Sequence, residues 1–221
     1  SVTVFEGDET APRDELAAKT WEECGIKKEN IFFNPKEDNW WGLGSGVGPC
    51  GPDTEMFYDS GKEKCSPECR PGCHCGKYNE IWNDVFMQYD RDANGNLTPL
   101  PKQNVDTGAG LERFASIMQG KTDNYDTDLF VGLKNAVSDV TGVAETSDNV
   151  ASFKVITDHL RSVGFAIADG VIPSNSDRGY VIRRILRRAM RHGQILGHRG
   201  ALLSKLYPVL VETMGDAYPE L

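Results

Sequence analysis

The sequence predicts an α+β chain: an antiparallel sheet with flanking helices, followed by an all-α segment. Three observations carry this. Residues 2–5 and 80–89 are runs of β-branched and aromatic residues bounded by turn formers. Residues 34–79 are crowded with Gly, Pro, Asp and Cys and hold no lasting period, which predicts a long working loop. From residue 152 onward, apolar residues recur at helical spacing.

Taken in order, residues 2–5 form a strand and 13–25 a helix, with Leu16, Ala17, Thr20, Trp21 and Cys24 on one face and Gly25 as its stop. Alternation along 80–89 puts Ile81, Asn83, Val85, Met87 and Tyr89 on one face, and Glu80, Trp82, Asp84, Phe86 and Gln88 on the other. Asn94-Gly95 predicts a type I′ turn that folds 96–101 back as a hairpin, and Pro99 and Pro101 make that return strand an edge. Residues 104–119 run from a short strand through a glycine-rich turn into a helix, and a further helix covers 127–140. The polar stretch 141–150 is the expected boundary between two domains, 1–145 and 146–221. Beyond it, Ser152 caps a helix over 153–169 that ends at Asp169-Gly170, 173–177 is a tight loop, and 178–192 is a third helix.

Composition narrows the class. The 221 residues are 39% hydrophobic and 26% charged, which excludes disordered, collagen-like and coiled-coil chains. No apolar run approaches the ~20 residues that span a bilayer, and no secretory segment opens the chain. The first residue is Ser1, already against a strand, so a piece of a longer protein is expected. Four of the six cysteines, Cys65, Cys69, Cys73 and Cys75, crowd together while Cys24 and Cys50 stand alone. This pattern predicts a reducing, cytoplasmic location and asks for either a structural zinc held by four thiolates or four reduced thiols in a loose insert. His74 is a spare ligand.

The net charge of −9 hides a reversal: residues 178–211 hold seven Arg and one Lys and no acid. On a helical wheel Arg183, Arg184, Arg187, Arg188 and Arg191 fall within about 140° of arc, opposite Ile182, Ile185, Leu186, Ala189 and Met190. An ordinary solvated face mixes signs for i,i+4 support, whereas this one is all positive, which predicts a polyanion partner, nucleic acid. Arginine forks grip phosphates but read little sequence. The preceding loop, Ser174-Asn175-Ser176-Asp177, is placed to supply specificity or, more plainly, to cap the helix.

The segment Asp106-Thr107-Gly108-Ala109-Gly110-Leu111-Glu112-Arg113 sets an acid, two glycines and a guanidinium around one strand-to-helix turn, a pattern suited to an amine and a phosphate. It resembles motif 3 of class II aminoacyl-tRNA synthetases. The strings DNWWGLG, GPCGPDTEMFYD, EIWNDVFMQY, PLPKQNVDTGAGLER and NYDTDLF, followed by DHLRSVGFAIADGVIPSNSDRGYVIRRILRRAMRHG, resemble the alanyl-tRNA synthetase family in that order.

The resemblance implies an incomplete class II antiparallel sheet in 1–145, with a Cys-rich insert at 62–76, and the start of the helical tRNA-recognition domain in 146–221. It implies that Asp106 binds the ammonium of alanine, that Trp41 and Val85 wall the methyl pocket with Asn83 and Gly108 beside it, and that Gly108, Gly110 and Arg113 meet ATP and its Mg²⁺. Asp106 and Arg113 would be the catalytic pair. Asn175 and the five arginines would meet tRNA(Ala), in which this family reads a G·U pair. The implied reaction activates alanine with ATP to alanyl-adenylate and transfers it to the 3′ end of tRNA. Glycine and serine should leak through so small a pocket, because one methylene discriminates by only ~1–3 kcal/mol, and nothing in the chain resembles an editing domain. Motifs 1 and 2 are not found. The isolated chain is therefore expected to bind alanine and ATP feebly and to make no adenylate, working only with the remaining segments of the same enzyme. A non-catalytic RNA-binding or regulatory relative with the same fold is the alternative.

Overall fold

The computed structural model describes residues 1–221, which divide into two compact units, Ser1–Phe114 and Ala115–Leu221. The first unit is built on a six-stranded sheet. Its elements are β1 (Val2–Phe5), α1 (Glu15–Glu23), β2 (Ile31–Asn34), β3 (Trp40–Gly42), β4 (Gly48–Asp59), β5 (Tyr78–Arg91) and β6 (Leu97–Ala109). The order is β2-β1-β4-β5-β6, with β3 also pairing β4. The sheet is mixed rather than antiparallel throughout: β1 and β2 run parallel. A parallel pair needs a crossover, and α1 supplies it.

Asp14 caps α1 by accepting from the Ala17 N–H at 2.9 Å, and Gly25, at φ 94°, ends it. The helix lays Ala17, Ala18 and Trp21 on Val4, Ile31, Phe33 and Phe86. Leu16, expected on this face, is 74% exposed. Two adjacent alanines let the backbone sit close to the sheet, which turns the buried face by one position.

The largest departure is in 34–79, expected as loop. Residues 48–59 instead form a 12-residue strand paired on both sides, with Cys50, Asp53 and Thr54 buried. Gly, Pro and Asp have little strand propensity, so local sequence argues against it. The pairing is specified by neighbours: a Cβ on Gly51 would overlap the Phe86 carbonyl, and only glycine lets the two strands approach so closely.

Register shifts on the β4–β5 pairing, between Cys50/Asp53 and Met56/Phe57, each insert an extra residue into β5. Each such bulge reverses the inward–outward alternation beyond it. Asn83 and Val85 keep one face, but Tyr89 moves to the other and stacks on Trp40 with ring centroids 5.9 Å apart. At the opposite end, Glu80 pairs with Phe57 and joins the face of Asn83. Simple parity puts both residues on the wrong side.

The β5–β6 turn also differs from type I′, which needs φ > 0 at both central residues. Only Gly95 has it, at 87°. The Gly95 N–H donates to the Asp92 carbonyl and the Asp92 N–H to the Asn96 carbonyl, each at 3.0 Å, giving a type I turn closed by a left-handed glycine. Asp92 Oδ1 stabilises it by accepting from the Asn94 and Asn96 N–H groups. As expected, β6 is an edge strand. It runs on through Ala109, so the supposed glycine bend is extended strand and Asp106 lies within it rather than at its end. Gly110 alone separates β6 from α2 (Leu111–Met118), which crosses the division between the units.

The second unit is helical. α3 (Asp128–Thr141), α4 (Val150–Ala168), α5 (Asp177–Ile195) and α6 (Leu203–Met214) enclose Phe130, Leu133, Val137, Phe153, Ile156, Leu206 and Leu210. Ser152 is not the cap of α4; it is buried inside that helix with its Oγ 3.0 Å from His192 Nδ1. Gly170, at φ 86°, does end the helix, and the Val171 N–H returns to the Ala166 carbonyl at 2.8 Å. The expected boundary at 145/146 falls between α3 and α4, within this unit. No helix is long and apolar enough to cross a membrane.

Candidate functional site

Two cross-strand rows build a polar face on the sheet of the first unit. In one, Asp53 on β4 pairs with Val85 on β5, which pairs with Asp106 on β6. In the other, Thr3, Glu55, Asn83 and Gly108 stand side by side on β1, β4, β5 and β6. Paired residues share a face, and so do residues two apart, so both rows look the same way. Trp41 pairs with Gly51, two positions before Asp53, and falls on that side as well. The opposite face is the one that α1 covers, where Trp21 donates to Thr54 Oγ1 at 2.8 Å.

Asp106 is exposed, and its Oδ1 accepts from the Thr107 N–H at 2.9 Å. A Cβ on Gly108 would meet nothing within 4 Å, and its φ is not left-handed. The chain itself therefore does not require glycine there, and the missing side chain leaves open space above the Asn83 row. Gly110 differs: a Cβ there would press on the Arg113 side chain at 3.1 Å. Arg113 Nη1 donates to the Glu80 carbonyl at 2.8 Å and to Glu80 Oε2 at 3.0 Å, with the arginine side chain 50% exposed. The bulge at the Met56/Phe57 step is what brings Glu80 to this side. Asp106 and Arg113 thus mark two ends of one face, five positions apart along β5, roughly 15 Å.

Behind these groups lie acids that motif reading missed. Asn39, fully buried, donates from Nδ2 to Thr3 Oγ1 at 2.9 Å and to Asp53 Oδ1 at 3.0 Å. Burial pushes Asp53 up to about 6 despite that donation. Glu55 is pushed up to about 8 by burial first, and then by the charges of Asp53, Glu80 and Asp38. The available signal was the pair Asp53-x-Glu55 at strand spacing, hidden while 34–79 read as loop.

The cysteine insert closes the β4–β5 connection. The Ser60 N–H donates to the Lys77 carbonyl, and Lys77 Nζ reaches Asp59 Oδ1 at 2.9 Å and the Lys62 carbonyl at 2.7 Å. At the tip all four Sγ atoms of Cys65, Cys69, Cys73 and Cys75 lie within 4.8 Å of one another. Cys65–Cys73 and Cys69–Cys75 are 3.4 and 3.6 Å apart, and none is in a disulfide. Zinc–sulfur bonds of about 2.3 Å in a tetrahedron put sulfurs about 3.8 Å apart, so the donor set fits that ion. His74 is exposed and is not one of the clustered donors.

In the second unit, α5 rests on Gly179, Ala189 and Gly193. Because these small residues carry the packing, Met190 stays 45% exposed instead of joining the core. Arg183, Arg184, Arg187, Arg188 and Arg191 line a groove of about 840 Å³ together with Tyr180, Met190 and His159 of α4. None of the five makes an ion pair; Arg184 lies 5.9 Å from the Tyr180 ring. Asn175 is exposed in the loop before the helix. That loop folds back so that the Ser174 N–H donates to the Gly179 carbonyl at 3.0 Å. A Cβ on Gly179 would overlap the Ile172 carbonyl and Ser174 Oγ, so this glycine is needed for the fold-back. Ser176 begins α5 without a side-chain capping bond, contrary to the plainer expectation for this loop.

Comparison with known proteins gives a consistent result. A family model described as tRNA synthetases class II (A) matches residues 1–221. The Alanine--tRNA ligase of Treponema denticola is 48% identical over 225 residues, covering 100% of this chain and 38% of that protein. Those of Borrelia hermsii and Magnetococcus marinus are 46% and 49% identical over 224 residues, covering 100% of this chain and 38% and 25% of theirs. The chain therefore spans well under half the length of these relatives.

Proposed function

The chain belongs to the class II alanyl-tRNA synthetase family, and from that premise we propose that its first unit carries the alanine and ATP site while its second grips tRNA(Ala). The observation that carries this reading is the pair of rows, Asp53–Val85–Asp106 and Glu55–Asn83–Gly108, under an open space. Asp106 receives the α-ammonium, Val85 and Trp41 bound the methyl group, and Asn83 faces the carboxylate across Gly108. Gly108 and Gly110 let ATP approach the backbone, and Arg113 exchanges Glu80 for a phosphate. No protein nucleophile is needed: the alanine carboxylate attacks the α-phosphorus, pyrophosphate leaves, and a ribose hydroxyl of tRNA then takes the alanyl group. Alignment and charge neutralisation, with Mg²⁺ on the phosphates, carry the acceleration. Residues 1–145 are the rear of the catalytic domain, and 146–221 open the tRNA-recognition domain. The chain works in the cytoplasm as part of a larger enzyme and alone makes no adenylate.

Amide NMR of the isolated chain tests the pocket even where binding is weak. Millimolar alanine is expected to shift the Asn83, Val85 and Gly108 N–H resonances, and Asp106→Asn to weaken binding at least tenfold by removing a charge-assisted bond. RNA binding with no alanine response in the chain or in the full-length enzyme would favour the non-catalytic relative.

Cys65, Cys69, Cys73 and Cys75 hold one structural zinc; four thiolates leave no open position for chemistry. Metal analysis of protein purified without chelators is expected to give one zinc per chain, lost in Cys69→Ser. Chelation should open 60–77 to trypsin while the β4–β5 pairing survives, because Ser60 and Lys77 hold the base of the insert independently. Zinc-free protein with an already trypsin-resistant insert would end this assignment.

A further inference from the structure

The cysteine insert is not free of the sheet. Of residues 61–76 only Cys69 and Pro71 are buried, and the Pro71 carbonyl accepts from Asn34 Nδ2 at 3.3 Å. Asn34 is the last residue of β2, fully buried and 37 positions before Pro71. Gly72 lies against the same amide: a Cβ there would stand 3.0 Å from Asn34 Nδ2 and 3.4 Å from Asp38 Oδ2. Its φ of 96° is left-handed, so glycine serves both the turn and the close approach. The insert thus comes down on residues 35–39, which join β2 to β3. There the Asp38 and Asn39 N–H groups both donate to the Pro35 carbonyl at 3.0 Å, and the Asn39 carbonyl accepts from the Asp53 N–H at 3.2 Å. Asn39 Nδ2 in turn holds Thr3 and Asp53, one residue from each polar row.

We propose that Asn34 is a positioning residue of the candidate site: by docking the cysteine insert on the 35–39 turn, it fixes Asn39 and, through Asn39, Asp53 and Thr3. The effect on alanine rests on the alanine reading and the effect of metal on the zinc reading; the docking rests on neither. The turn needs such a hold. Asp38 repels Asp53 and Glu55, a force that works to lift the turn off the sheet. The Asn34–Pro71 bond and the contact with Gly72 oppose it. The turn also leads directly into β3, which carries Trp41. Cys69 and Cys73 flank Pro71 and Gly72, so fixing the four thiolates around one ion stiffens the docking edge. Loss of the metal frees that edge, and the turn loosens with it.

Amide hydrogen exchange of the zinc-loaded chain, the chelated chain and two variants tests this. Asn34→Asp keeps the side-chain shape but has no hydrogen to donate to Pro71. Gly72→Ala presses the insert off Asn34 from the other side. Both keep all four cysteines, and metal analysis is expected to find zinc in each at the level of the parent. In both variants and in the chelated chain, the Asn39 and Asp53 N–H groups are expected to exchange about tenfold faster. Amides of the β5–β6 pairing should keep their rates. Alanine titrations followed at Asn83 and Gly108 should need about three- to tenfold more alanine. Asn39 and Asp53 rates unchanged in both variants overturn the proposal, as does a rise shared equally by the β5–β6 amides. So does an alanine titration that moves in neither variant while the parent responds. If alanine shifts nothing even in the parent but Asn39 exchange responds, the alanine reading fails and the docking stands. If the purified chain holds no zinc and both variants still respond, the zinc reading fails and the docking stands.

Discussion

Reversing Arg187 and Arg191 together to glutamate is expected to weaken RNA binding by the second unit severely. Both side chains line the groove, neither has an acidic partner, and each reversal replaces an attraction by a repulsion. Five arginines meeting five duplex phosphates predict a slope of log affinity against log salt of about −4.5. The double reversal should bring the slope to about −3 or shallower and lower affinity at 0.1 M salt by roughly 100- to 1,000-fold. Fluorescence anisotropy with an acceptor-stem RNA duplex, repeated at several salt concentrations, measures both quantities. The helix itself should survive, because its packing residues, Gly179, Ala189 and Gly193, are untouched. A double variant that binds as well as the parent would reduce the arginine stripe to a solvated face.

Gly51→Ala is expected to be the most damaging single methyl in the first unit. The added Cβ would overlap the Phe86 carbonyl and press the Gln88 nitrogen at 3.0 Å, both of them backbone atoms that no side-chain rotation can move. The bulge between Val85 and Tyr89 would have to shift, and with it the alternation that separates Val85 from Tyr89. Overpacking against backbone costs about 3 kcal/mol or more, a fall of roughly 10–20 °C in melting temperature for a unit of this size. All four tryptophans, at 21, 40, 41 and 82, lie in this unit, so their fluorescence reports its unfolding separately from the helical unit. Gly44→Ala, where a Cβ would meet nothing and φ is ordinary, is the matched control and should stay within about 0.5 kcal/mol of the parent. Equal stability of the two variants would remove the steric requirement for glycine at 51.

The second case turns on a small residue whose role is visible only in three dimensions, whereas the first turns on charges already visible along the chain. The arginine stripe of α5 was legible, because helical period and charge sign are local properties. So was the face shared by Asn83 and Val85, since two positions along a strand need no knowledge of its partners. The Gly25 and Gly170 helix ends were legible for the same reason. The strand at 48–59 was not: its Gly, Pro and Asp residues are extended only because β1 and β5 hold them from both sides. Nor was the side on which Glu80 emerges, since a bulge is a mismatch between two strands and has no signature in either alone. Asp53 and Glu55 became candidates once that strand existed, for burial and crowding among acids belong to the assembled sheet.

The sequence by itself determined the periodic elements, the sign and placement of charge, the clustering of cysteines and the motif order that marks the family. Tertiary structure decided which strands are neighbours, where the bulges reverse a face, and which carboxyl is crowded enough to keep its proton. Periodicity and charge are written residue by residue along the backbone, whereas register and desolvation arise only when distant segments exclude water from one another.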